Sequence, residues 1–177
     1  MYSVRLWSVR HARGLNAFYR GFEGVLNRLH GVFKAVGYER LERPVAALER
    51  TVKGVLFDCK MCGQCALSST GMSCPMNCPK TLRNGPCGGV RDNGHCEVKP
   101  EMRCVWVEAY RGSQRMPGGV EAMSKIQFAV DQRLQGRSSW LRVVRDMNPE
   151  PAKAEAAAKP AAAPKAESAK PAAGGAP

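Results

Sequence analysis

Eight cysteines lie between Cys59 and Cys104, and the rest of the 177-residue chain has none. They read C-x2-C-x2-C-x8-C-x3-C-x8-C-x8-C-x7-C, through Cys59, Cys62, Cys65, Cys74, Cys78, Cys87, Cys96 and Cys104. Random placement does not strip one residue type from both ends of a chain and crowd it into a short interior stretch, so the segment is a site. Disulfides would need an oxidising compartment, and no export signal precedes the cysteines. Residues 1–13 are arginine-rich without acidic groups, but they lack the apolar run and cleavage site of a secretory signal and are read as part of the mature protein. Reduced, metal-binding thiols in a cytoplasmic protein are the expectation.

The segment is built from turns. Cys74-Pro75, Cys78-Pro79, Asn84-Gly85-Pro86, Gly88-Gly89 and Asp92-Asn93-Gly94 each redirect the backbone. Val90-Arg91 and His95 to Val98 flank the Asp92-Asn93-Gly94 turn, which predicts a short hairpin. So many loops need something other than hydrophobic burial to hold them, and coordination of a metal supplies it. Structural zinc uses pairs of C-x2-C or C-x4-C knuckles, whereas the first group here has three members, Cys59, Cys62 and Cys65. Such a triplet presents three thiolates to three irons of a cubane, and proline after Cys74 and Cys78 resembles the Cys-Pro that closes ferredoxin motifs. Eight thiolates make two sets of four, so two [4Fe–4S] clusters are expected, with one cluster plus zinc, or zinc alone, as the alternatives. The ligand sets stay open, with Cys78 or Cys87 the working choice to complete the triplet. His95, Met72 and Met76 read as packing residues, and Gly88 and Gly89 would let backbone approach a cluster closely.

The flanks are helical in pattern. Leu15, Phe18, Phe22, Val25, Leu29, Val32 or Phe33, and Val36 recur at steps of three and four, which predicts a helix over about 14–36 closed by Gly37. A second helix is expected from Arg43, with Pro44 in its first turn and Val45, Leu48, Val52, Val55 and Leu56 on its apolar face. These stripes read first as core, and second as a surface for a partner subunit. Cys104 to Val107 looks extended, and Met123, Ile126, Val130 and Leu134 suggest a third helix. Trp140, Leu141, Val143 and Val144 suggest a last turn or two packed back on the body. The expected class is a small α+β fold divided into N-terminal amphipathic helices (1–57), an iron–sulfur domain (58–111), a C-terminal helical segment (112–147) and a disordered Ala/Pro/Lys tail (148–177).

Composition removes other classes. Apolar residues make up 44%, near the globular average, which argues against wholesale disorder, and no apolar run approaches the roughly 18–20 residues that cross a bilayer, so no membrane role is expected. The formal charge of +12 is spread along the chain rather than gathered in a stripe, and a nucleic-acid partner is not expected. A basic, metal-stabilised nucleic-acid binder is kept as the remoter alternative. No Ser–His–Asp arrangement, Walker A loop or dinucleotide fingerprint accompanies the cysteines, so no catalytic residue is assigned.

The non-cysteine residues around the thiols carry a resemblance. Cys59-Lys60-Met61-Cys62-Gly63-Gln64-Cys65, Leu67 to Lys80 with both Cys-Pro pairs, Leu82-Arg83-Asn84-Gly85-Pro86-Cys87-Gly88-Gly89, Cys96-Glu97-Val98 and Cys104-Val105-Trp106-Val107 together resemble the methylenetetrahydrofolate reductase C-terminal domain family over about residues 55–111. The resemblance implies a cysteine-rich small subunit that is inactive alone and binds no flavin or folate itself. Its partner would be a barrel subunit holding FMN and folate, and it would relay electrons between an external carrier, not identified by the sequence, and that FMN. It also implies cluster ligation by all eight cysteines. A zinc-stabilised assembly subunit of the same reductase is the alternative reading.

Overall fold

The computed structural model describes residues 2–149, so all of the expected 148–177 tail except Asn148 and Pro149 lies outside the described residues. Six α-helices carry the fold: α1 (Tyr2–Arg10), α2 (Ala12–Arg28), α3 (His30–Val36), α4 (Tyr38–Phe57), α5 (Val105–Ser113) and α6 (Ser139–Met147). Short 3-10 turns cover Pro75–Asn77, Gly119–Ser124 and Gln132–Leu134. Among the described residues there is no strand. Two isolated antiparallel bridges, Val90 with Cys96 and His95 with Arg103, stand where the hairpin was expected. The described residues are therefore mostly helical and cysteine-rich, and the expected α+β class and hairpin are not confirmed among them.

The 14–36 stripe spans two helices, because the ladder breaks at Leu29, whose amide is shared between the carbonyls of Val25 and Leu26 at 3.1 Å each. Gly37 ends α3 at φ 95°, a conformation that suits a residue without Cβ, and its amide reaches Phe33 O at 3.0 Å. Helix α4 begins at Tyr38, earlier than Arg43, and admits Pro44 within its second turn.

The inward face of α4 reverses the pattern expected from its sequence. Glu42, Ala46, Glu49, Lys53 and Phe57 are buried, while Leu48 (60% exposed), Val52 and Val55 face outward. Helix α6 is the reason. Its first turn brings Ser138, Ser139 and the Trp140 amide onto the Glu49 carboxylate, so the polar side of α4 has hydrogen-bonding partners inside the molecule. The packing of α6 is otherwise as expected, with Trp140, Leu141 and Val144 buried.

Cys104 itself is extended, but Val105–Ser113 is helical instead of continuing that extension. Burial decides it: Val105, Trp106, Ala109 and Gly112 share an inward face. At Gly112 the helix lies backbone to backbone on Gly71, which has φ 59°, and a Cβ on Gly112 would overlap the Gly71 carbonyl. The third helix expected from Met123 to Leu134 does not form. Asn84 uses its side-chain amide on both sides of Gln127, donating to its carbonyl (2.9 Å) and accepting from its amide (2.7 Å). Gln64 Oε1 accepts from the Asp131 amide at 2.9 Å. Loop side chains thus take backbone groups that a helix would need, and residues 125–136 run as a strap across the cysteine segment.

Candidate metal centre

The first thiols emerge where α4 ends. Asp58 caps it in the left-handed region (φ 51°), and Met61 (φ 50°) and Gly63 (φ 69°) also have positive φ, so the backbone bends sharply through the first thiol loop. Gly63 allows Leu134 of the strap to approach, since a Cβ there would sit 2.5 Å from the Leu134 carbonyl oxygen. Asn77 donates to Phe57 O at 2.8 Å, tying the 3-10 turn after Cys74 to the last turn of α4. Gly136 N reaches Met61 O at 2.8 Å and closes the strap over the same loop.

These constraints bring Cys59, Cys62, Cys65 and Cys74 to one narrow cavity, whose walls also include Lys53, Phe57, Leu67, Met76 and Arg83. Cys74 is the fourth cysteine in the cavity wall, and Cys78 and Cys87, the working choices to complete the triplet, are not among the lining residues. Sequence reasoning missed Lys53 and Arg83. Lys53 Nζ lies 3.5 Å from Cys65 Sγ, and Arg83 Nη1 lies 3.7 Å from Cys62 Sγ while Nη2 donates to Gln64 O at 3.0 Å. Arg83 stands in the quoted Leu82-Arg83-Asn84 run, so its place beside the thiols had a signal in the motif. Lys53 had none. The Met61 amide donates to Cys59 Sγ at 3.3 Å.

Burial dominates the electrostatics. It pushes the Cys74 thiol up to about 12, with the neighbouring Cys59 and Cys65 charges adding to the shift. Burial likewise raises Cys59, against the lowering effect of the Met61 amide and Lys53. For Lys53 burial opposes the charged form, but Cys65, Glu49 and Cys59 outweigh it and the net shift is upward. Four clustered thiols, whose ionised forms would repel one another, beside two cations are a donor set suited to a group that binds thiolates and displaces their protons. Among the described residues no three His, Cys, Asp or Glu side chains close on a single point as an ion site, so the four thiols line a shared cavity without meeting at its centre.

The other four cysteines are placed differently. Cys87 is exposed, accepts from the Gly89 amide at 3.4 Å and lies 3.7 Å from Glu97 Oε1. Glu97 pairs with Lys80, which holds its carboxyl below the ordinary range. Cys96 is buried with Met102 and Val105 beside Tyr2. Cys78 and Cys104 are half-buried, Cys104 forming the N-cap of α5. His95 hydrogen-bonds Pro100 O through Nδ1 at 2.6 Å. Met72 belongs to the main core with Ala12, Phe57, Leu67 and Met116, and Cys74 packs against that core.

An apolar groove of about 250 Å³ lies on the opposite side of Lys53 and Phe57. Phe18 (73% exposed), Phe22, Leu48 and Val52 form its walls, and Lys53, Phe57 and Leu67 are common to the groove and the thiol cavity. A larger cavity of about 870 Å³ lies between α3 and α6 and touches the cysteine loop at Gly63. No helix among the described residues is long and apolar enough to cross a membrane.

A family model described as "Methylene-tetrahydrofolate reductase C terminal" matches residues 38–133, more than half of the chain, from the first residue of α4 through all eight cysteines and into the strap. No curated protein and no solved structure matches the chain.

Proposed function

Because this chain belongs to the methylene-tetrahydrofolate reductase C-terminal family, we propose that it is the electron-transfer subunit of a methylenetetrahydrofolate reductase, serving the FMN of a partner barrel that interconverts methylene- and methyltetrahydrofolate. The observation that carries this reading is the convergence of Cys59, Cys62, Cys65 and Cys74 on one cavity beside Lys53 and Arg83. These four thiols are assigned to one iron–sulfur cluster, and Cys78, Cys87, Cys96 and Cys104 to a second. When bound, such a group supplies reversible one-electron exchange.

The chain's own residues do the rest. The loop turns through left-handed positions at Met61 and Gly63, the Gly136 amide ties the strap to the Met61 carbonyl, and N–H groups of Met61, Lys53 and Arg83 meet three of the sulfurs. Hydride transfer in this reading belongs to the FMN of the partner barrel.

Association with that partner is supported by the groove between α2 and α4. Exposed apolar surface rimmed by polar residues marks an interaction site, and a subunit seated there would lie one residue layer, Lys53, Phe57 and Leu67, from the thiol cavity. Anaerobic co-expression with a reductase barrel tests the reading. A brown complex with broad absorbance near about 400 nm, about eight irons per small subunit and retained flavoprotein is expected. Colourless protein holding zinc alone, or a chain that never retains the flavoprotein, would reject it.

A further inference from the structure

Lys53 is 3% exposed, and its ammonium has three N–H bonds and three acceptors: Glu49 Oε1 at 2.9 Å, Ser139 Oγ at 2.8 Å and Cys65 Sγ at 3.5 Å. Its place is fixed from several sides. Glu49, 1% exposed, also accepts from Ser138 Oγ (2.7 Å), Ser139 Oγ (2.5 Å) and Trp140 N (3.3 Å). The rings of Tyr19 and Trp140 stand 5.7 and 5.3 Å from Nζ. Stability does not account for such a pair, because well-packed apolar residues of similar volume usually serve a helix interior as well or better. What the pair does provide is a buried ion pair whose positive end is immobilised against one thiol of the site, that of the exposed Cys65.

We propose that Lys53 is a positioning residue that raises the reduction potential of the group bound by Cys59, Cys62, Cys65 and Cys74, through its N–H···S contact with Cys65. The inference rests on the iron–sulfur reading above. Adding an electron makes a thiolate-ligated cluster more anionic, and a buried ammonium fixed at the edge of the site favours that state over the oxidised one. Glu49 and Ser139 act through Lys53 by keeping its ammonium from turning away.

The test compares three full-length proteins purified anaerobically: wild type, K53R, and the double variant K53M/E49Q, which removes both buried charges together. Iron and acid-labile sulfide are assayed first, then midpoint potentials are measured by titration followed by absorbance and electron paramagnetic resonance. One centre is expected to shift to more negative potential in K53M/E49Q and to stay near the wild-type value in K53R, with iron content unchanged in both. An unshifted potential in the iron-replete double variant overturns the proposal. Loss of iron from a double variant that keeps its helical circular dichroism also overturns it, since Lys53 would then serve assembly. A measurement on the unmutated protein stands beside the variants should they fail to fold. Wild-type protein labelled with nitrogen-15 at lysine Nζ should show a hyperfine coupling to that nitrogen in the reduced centre, and absence of the coupling counts against the proposal. Wild-type protein with zinc and no iron rejects the iron–sulfur reading itself, an outcome the first assay separates from failure of the lysine's role.

Discussion

Cys74 is the thiol most altered by its surroundings. It packs half-buried against the main core, and its thiol is pushed up to about 12 in the metal-free chain, against about 8.5 for an unfolded cysteine. Between those values the folded state binds one more proton than the unfolded state, so stability is full below about pH 8.5 and falls as pH rises through the window. The slope is at most about 1.4 kcal/mol per pH unit for this group, and Cys59, raised by the same burial, acts in the same direction. Denaturant titrations of chelator-treated protein at pH 7.5 and 9.5 should therefore give the lower stability at pH 9.5. Metal-loaded protein, whose thiolates carry no proton to lose, should lack that loss, and a flat profile for the metal-free chain would dispose of the argument. A second expectation concerns the same residue: C74S should lose the metal held at the cavity, about four irons per chain under the iron–sulfur reading, and unchanged iron would remove Cys74 from the ligand set.

The elements owe their positions to a few backbone contacts. The Gly71–Gly112 crossing presses α5 onto the loop that carries Cys74, with Ser73 Oγ donating to Val105 O at 3.0 Å beside it. G112A puts a methyl group where the Gly71 carbonyl already lies, and should destabilise the fold by about 1–3 kcal/mol in chemical denaturation. A variant of wild-type stability would mean that the two backbones are further apart than this packing requires. Much of the helical architecture was legible beforehand: Gly37 ends α3, the thiol segment is loops, and Trp140, Leu141 and Val144 pack inward. Three readings failed for physical reasons. Periodicity ranks Leu48, Val52 and Val55 as core because it counts apolar side chains and cannot see Ser138 and Ser139, nearly ninety residues away, offering hydroxyls to Glu49. It makes Met123 to Leu134 a helix because it cannot see Asn84 and Gln64 claiming the backbone there. Local propensity extends Cys104 to Val107, where the Gly71 contact and a buried face favour α5. Cysteine spacing likewise did not rank Cys74 over Cys78, since what brings Cys74 to the cavity wall is tertiary, including the tie from Asn77 to Phe57.

At the scale of the whole molecule, two surfaces back onto one layer of residues. The thiol cavity and the apolar groove share Lys53, Phe57 and Leu67, and the groove's outer wall, Phe18 of α2 with Leu48 and Val52 of α4, faces outward. L48E and V52E each place a charge in that wall without touching the buried face of α4. Each should weaken retention of the flavoprotein by about tenfold or more in a pull-down titration, with iron content and circular dichroism unchanged. Equal retention would place the interface elsewhere.

A helix that turns its ions inward and its valines outward also has a bearing on supply in the cell. Until the groove is covered, such a surface resembles that of an unfinished chain, the kind that chaperones retain and proteases clear. The amount of this subunit should then follow the amount of its partner, falling when the partner's gene is silenced although its own messenger is unchanged. Matched stoichiometry of the two subunits would in that case arise from degradation of the surplus, with no need for matched synthesis.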